Sequence, residues 1–279
     1  MHTFQTPAPV KLRIEIPWGR IKIVAEEAAE TRVELTAVNG DAAAREWIAG
    51  AEVIQSGDEI VVRGRKPRLR LFGFGGAVEA SIHAPVDSGA TLSTGAGRIE
   101  TAGRLGEISA SSGSGAIRLD QSCGARARTG SGPIDIAGST GSVDAKTGSG
   151  RVTVGTVGGN ARITTGSGHA ELAGASGEAT LTTGSGNIEV GQAGDSLEAF
   201  AASGNVRVRR ADHGRVRAKT ISGEVRVGVA GGAAALLDIS TMSGRVNSEL
   251  EAGAAPGDGE KRLELVISTL SGNVNIARA

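Results

Sequence analysis

The chain has 279 residues, of which 44 are Gly, four Phe, two Trp and none Tyr, and 39% are apolar. So few aromatic rings exclude a thick globular core, which leans on them for buried area, and leave Val, Ile, Leu, Ala and Thr to fill a thin, layered one. Thirty Lys and Arg balance thirty Asp and Glu, so no global field draws the chain to nucleic acid or an anionic membrane. The single Cys123 excludes an intrachain disulfide and a cysteine metal cluster.

Residues 1–9 lack the basic and apolar regions of a secretory signal. No apolar run approaches the roughly 18–20 residues that span a bilayer, so the expected location is the cytoplasm. Alternation and β-branched content predict strands over 10–16, 20–25, 31–38, 59–63 and 78–84. The Ala-rich stretch 40–51 predicts the one helix, with Trp47 packing into this region. Residues 1–88 are therefore expected to form a β-rich cap. Within it, Trp18-Gly19-Arg20-Ile21-Lys22-Ile23 has the form of a degenerate coil start, so the cap grows directly into the region after residue 88.

Between two of these strands, 63–76 joins five cationic side chains to two of the four Phe residues. Two readings stand. Arg65, Lys66, Arg68, Arg70, Phe72 and Phe74 form a loop that contacts a partner, or the same segment is a hairpin whose Phe rings fill the cap.

From residue 89 onward the chain repeats. Thr-Gly-Ser-Gly-x-Ile/Val-x-Val recurs with its last glycine at Gly97, Gly115, Gly132, Gly150, Gly168, Gly186, Gly204, Gly223, Gly244 and Gly272, at intervals of 18, 17, 18, 18, 18, 18, 19, 21 and 28. An interval this constant means one coil per repeat, so 89–279 reads as about ten stacked coils of roughly 18 residues. Apolar residues stand two and four places after the glycine (Val152 and Val154, Ile188 and Val190) and seven and five before it (Ala161 and Ile163, Leu237 and Ile239). That is period-two alternation on both sides of a corner, two strands each burying one face. Three places before the glycine runs a ladder of Thr94, Thr129, Thr147, Thr165, Thr183, Thr220, Thr241 and Thr269. Its hydroxyls are placed to pass hydrogen bonds from coil to coil while the methyls pack inward.

Stacking in chain order also predicts charge ladders. Six places before the glycine the last coils read Glu198, Arg217, Asp238, and three places after it the first coils read Glu100, Arg118, Asp135. Neighbours of opposite sign are favoured at this spacing. Glu171 beside Glu189 and Arg207 beside Arg226 break the rule. The chain stops seven residues after Gly272 with no cap evident, so that end is expected to expose strand edges fit for self-association.

With Thr-Gly-Ser-Gly-x-Ile-x-Val at this interval, the chain resembles the bacterial β-strand-repeat family labelled "putative adhesin", a domain of unknown function. The resemblance covers nearly the whole chain. It includes Phe4-Gln5-Thr6-Pro7-Ala8-Pro9, the strand–Gly19–strand unit and Leu71-Phe72-Gly73, features similar to the signal-less actinobacterial members. It implies an all-β, right-handed parallel β-helix, or β-solenoid, and supplies no catalytic residues.

The chemistry-bearing motifs read as structure. The Gly-Ser-Gly corners lead into strands, whereas a phosphate cradle leads into a helix. Calcium-binding repeats need an Asp where this chain keeps an apolar residue. His2, His83, His169 and His213 are scattered, as solvent-exposed side chains are, and no metal or cofactor is expected. The densest basic run, Arg207, Arg209, Arg210, Arg215, Lys219 and Arg226, is the second candidate surface, for an anionic partner; it lacks the interleaved aromatics of a nucleic-acid site. The sequence thus points to a non-enzymatic scaffold or protein-interaction solenoid that self-associates or meets a protein partner. The alternative is a ligand- or polymer-binding module using an outward face or the 63–76 loop. No small-molecule substrate and no specific nucleic acid are expected.

Overall fold

The computed structural model describes residues 1–64, 76–231, 233–250 and 262–279. It is an all-β solenoid with one α-helix among the described residues, in two compact units, Met1–Thr140 and Gly141–Ala279. Each coil has a leading strand before the glycine corner and a trailing strand after it, and coils pair strand on parallel strand.

In the first unit the leading strand Lys11–Ile16 alternates exposed and buried residues and lies between two others. Leu12 is in register with Ile60 of Glu59–Arg63 on one side and with Ala90 of Gly89–Thr94 on the other. The trailing strand Gly19–Glu26 is likewise sandwiched, Ile21 facing Ala80 of Val78–Pro85 and Ile99 of Arg98–Ala102. The degenerate start at Gly19 is therefore a true coil. First in the chain, it is second in the stack. Arg104–Ser112, Ile117–Thr129 and Ile134–Ser139 continue the layers in chain order.

The outer coil, 59–85, is covered. Glu30–Ala37 pairs antiparallel with Val78–Pro85, His2–Gln5 pairs antiparallel with Glu30–Ala37, and Glu52–Ser56 pairs antiparallel with Glu59–Arg63. The helix Ala42–Ala49 packs on Glu30–Ala37 and buries Ala44 completely. It starts where the Asp41 carboxylate accepts from the N–H groups of Ala43 and Ala44, at 2.7 and 3.1 Å, an N-cap of the usual kind. The helix and the five expected strands stand where alternation and composition place them, whereas His2–Gln5 and Glu52–Ser56 are additional. The first is short and polar. The second is half of a hairpin whose turn, Gly57-Asp58 with Gly57 at φ 61°, was a legible signal.

In the second unit the interior columns are continuous. Val143, Ala161, Ala179, Leu197 and Val216 stand in register on the leading wall, and Val152, Ala170, Ile188, Val206 and Val225 on the trailing wall. Chain order then fails. Gly214–Ser222 pairs with Arg262–Ser271, Val216 facing Leu265, and only beyond that comes Ala234–Ser243, Leu237 facing Leu265. The trailing strands agree: Val274–Arg278 lies between Val225–Val229 and Val246–Ser248. The last coil in the chain is wedged between its two predecessors, and the Gly244 coil is outermost.

Two expectations are corrected by this order. Arg217 and Asp238 are not ladder neighbours, because Val266 stands between them. Among the described residues the open edge belongs to residues 234–248 and not to the last residues of the chain. The wedge is possible because successive strands lie about 4.8 Å apart, so the short link from Val229 to Ala234 reaches across one extra layer.

Candidate interaction surface

Thr165 donates its hydroxyl to the Gly150 carbonyl at 3.2 Å and accepts from the Gly168 N–H at 3.0 Å. Ser112, Thr129, Thr183 and Thr220 donate in the same way to the glycine carbonyl of the neighbouring coil. Thr269 donates to Gly223 and Thr241 to Gly272, which marks the wedged order independently of strand pairing. At Gly223 and Gly272 the backbone sits at φ 153° and 158°, and an added Cβ would meet the carbonyl oxygen of the coil beneath at 2.1 and 1.8 Å. Only glycine fits there.

A second ladder, which sequence reading missed, runs one residue after the glycine. The His169 Nδ1 accepts from Asn187 N–H at 3.1 Å, Asn187 Oδ1 from Asn205 N–H at 2.9 Å, and Asn205 Oδ1 from Glu224 N–H at 2.8 Å. The recurrence of Asn at one offset was the available signal. His169 is exposed, as expected, but engaged. His83 and His213 are half-buried, which corrects the expectation for them: His83 lies 3.3 Å from Glu26, and His213 bridges Asp212 at 2.7 Å and Asp195 at 3.1 Å.

The basic run does not form one patch. Arg207, Arg209 and Arg210 lie on the trailing strand Val206–Ala211 and Arg226 on Val225–Val229, whereas Arg215 and Lys219 lie on the leading strand Gly214–Ser222, on the other wall. Carboxylates hold half of them. Arg209 meets Glu189 at 2.7 Å, which raises the guanidinium pKa, Arg226 meets Glu224 at 2.8 Å, and Arg215 meets Glu264 at 2.9 Å. Arg207 faces Glu189 on one side and Arg226 on the other. Arg65, Lys66, Arg68, Arg70, Phe72 and Phe74 lie outside the described residues. Among the described residues no three His, Cys, Asp or Glu converge as metal ligands, and no helix is long and apolar enough to cross a membrane.

What the geometry does bring together is the outer face of the second unit. In the wedged coil Leu263, Leu265, Ile267, Thr269, Val274 and Ile276 are all at most 3% exposed. Their counterparts one layer out, Ala235, Leu237, Ile239 and Thr241, are only half-buried, and Val246 is 47% exposed. On the outside of the same wall Ile221, Leu270 and Met242 stand in adjacent strands, between the paired Thr and Ser positions that flank them. Their exposure rises toward the edge, at 42%, 48% and 83%, and Leu236 on the outermost strand is 69% exposed. An apolar strip thus runs to a strand edge that is unpaired among the described residues, an arrangement that chains in water ordinarily blunt.

Three solved structures are similar along nearly their full length. A "putative adhesin" from Parabacteroides distasonis is 9% identical with a TM-score of 0.45, covering 98% of this chain and 96% of its own. One from Bacteroides fragilis is 12% identical with a TM-score of 0.41, covering 100% and 95%, and a "putative cell adhesion protein" from Clostridium sporogenes is 12% identical at 0.21, covering 99% and 94%. The comparison with curated proteins returns no match. The family model described as Toastrack DUF4097 matches residues 13–277, and the chain belongs to that family.

Proposed function

We propose that the chain is a non-enzymatic scaffold and protein-interaction module that binds through the outer coil, residues 234–248. One observation carries this reading: a core column that is sealed at Leu265 and Ile267 is left half-open at Leu237 and Ile239, beside an apolar strip and an unpaired edge. Edges of this kind bind by strand addition, backbone groups supplying affinity and alternate side chains specificity. The corner Thr hydroxyls and the Asn side chains after the glycines are engaged in coil-to-coil ladders.

The test is retention of a protein partner, a second copy included, by the immobilised full-length chain. Leu236→Lys with Met242→Lys should abolish retention while circular dichroism stays unchanged, since both side chains are solvent-facing. A wild-type chain that retained nothing would end this reading.

A second reading, binding of a polymer or other ligand along an outward face, is favoured by a depression of about 240 Å³ lined by Asn187, Glu189, Asn205, Arg207, Glu224 and Arg226. Its mixed polar lining suits a hydroxyl-rich or anionic chain. Arg207→Glu should then weaken binding to such a polymer and leave retention of a protein partner unaltered.

A further inference from the structure

The shape and chemistry of the outer edge select its occupant. We infer that its partner is a second copy of this chain, joined edge to edge about a two-fold axis, with Ala234–Ser243 antiparallel to itself and Ile239 on the axis. The inference rests on the reading of residues 234–248 as the interaction surface and adds the occupant and the register.

Three observations select them. The first is the lack of another suitable edge. Of the other described strands, His2–Gln5, Glu52–Ser56 and Val246–Ser248 pair on one side only, and they are four, five and three residues long against ten for Ala234–Ser243. A strand matched by its own length buries the most edge, and a two-fold pairing closes after two copies.

The second is the face alternation. Ala235, Leu237, Ile239 and Thr241 point to the core, and Leu236, Asp238, Ser240 and Met242 point out. A continuous core requires inward residues to meet inward ones, because a slip of one residue would turn the apolar set to solvent. That leaves few registers. With Asp238 on the axis, the strand's single charge would oppose its own copy, which is destabilising at this separation. With the axis two residues back, at residue 237, Asp238 would face the apolar Leu236. With Ile239 on the axis, Asp238 faces Ser240, Leu237 faces Thr241, and Leu236 faces Met242 of the second copy.

The third is the strip itself. In that register Leu236 of the second copy follows Met242, so Ile221, Leu270 and Met242 gain a fourth apolar neighbour across the junction. Beyond it lies the second copy's Glu264, already held by Arg215 at 2.9 Å. The strip ends in an ion pair and is no longer open. The same contact covers Ile239 and Leu237, the half-exposed top of the core.

The experiment uses the full chain carrying Cys123→Ser, since Cys123 is exposed and would cross-link on its own account. Sedimentation across a concentration series should show the 28.0 kDa protomer giving way to twice that mass and nothing larger. Leu236→Lys should weaken this association by about tenfold or more, as lysine does on a strand edge. Leu236→Cys mixed with Met242→Cys should form a mixed disulfide, while each variant alone stays unlinked. A chain monomeric throughout overturns the inference. So does a mass that grows past two, or a disulfide formed by Leu236→Cys with itself. A monomer that still retains a different protein through Leu236 and Met242 overturns only the self-pairing; a monomer that retains nothing removes the interaction reading as well.

Discussion

The outer coils of the two units both stack strand on parallel strand and meet solvent in opposite ways. In the first unit the coil 59–85 carries two antiparallel hairpin-like strands and a helix over its outside, and Ile60, Val62, Ala80 and Ile82 are fully buried. In the second unit the coil 234–248 carries nothing among the described residues, and Leu237 and Ile239 remain half-buried. The wedged coil beside it is as closed as any interior layer. Burial in a stacked fold is thus a property of position and not of residue type, since each layer completes only its neighbours. The chain has a way to close a core column and uses it in one unit.

The largest test of this contrast is truncation of equivalent side chains. Ile267→Ala in the wedged coil and Ile82→Ala in the covered coil should each cost about 2–5 kcal/mol in denaturant unfolding, as buried Ile or Leu truncations do. Ile239→Ala should cost roughly half that or less, because its site can collapse and part of its surface was never removed from water. Equal losses at Ile267 and Ile239 in the monomer would break the comparison. Next in size are the corner glycines. Gly223→Ala forces a side chain onto a φ of 153° and against the Gly204 carbonyl, and should cost about 1–3 kcal/mol or more. Gly244→Ala meets the Gly272 carbonyl just as closely, yet its coil has no layer beyond it among the described residues and can lift away. Its penalty should be the smaller, read as the difference in unfolding midpoint between the two variants.

Much of this fold was legible because its rules are local. The offset from each glycine fixes which side chains point inward, and Val152, Ile188 and Val206 do stand in one column. The order of the layers was not legible. A coil presents the same apolar rungs whichever coil lies above it, so Leu265 fits over Val216 as well as Leu237 would. Charge was a poor guide for the same reason: Arg217 and Asp238 invited a pairing that Val266 interrupts. Only the stretched interval before Gly272 hinted at a detour. The basic run misled because neighbours in sequence were read as neighbours in space. Arg210 and Arg215 are five apart, but a corner at Asp212 and His213 sends them to different walls. The position of the open edge depends on layer order and so was misplaced with it.

The smallest effect concerns how the covered coil holds its strap. Glu26 ends the wedged strand Gly19–Glu26, and its carboxylate lies 3.3 Å from His83 on Val78–Pro85 and 3.0 Å from Arg32 on Glu30–Ala37. The hydrogen bond with His83 is the largest cause drawing its pKa below the ordinary 4.5; burial opposes it next, and the charge of His83 with the hydrogen bond and charge of Arg32 add to the lowering. A carboxylate lowered in the folded state stabilises that state above its unfolded value, and the contribution disappears as pH falls through the folded one. The side chain is one-third exposed, so solvent screening holds the effect to a few tenths of a kcal/mol. Glu26→Gln should therefore lower stability by that amount at neutral pH and make no difference well below pH 4.5. Hydrogen exchange in Glu30–Ala37 would show the same convergence, whereas Ala234–Ser243, which has no such strap, should respond identically in parent and variant. A gap between the two proteins that persisted in acid would mean that Glu26 acts through packing, and that the strap is closed by its strands alone.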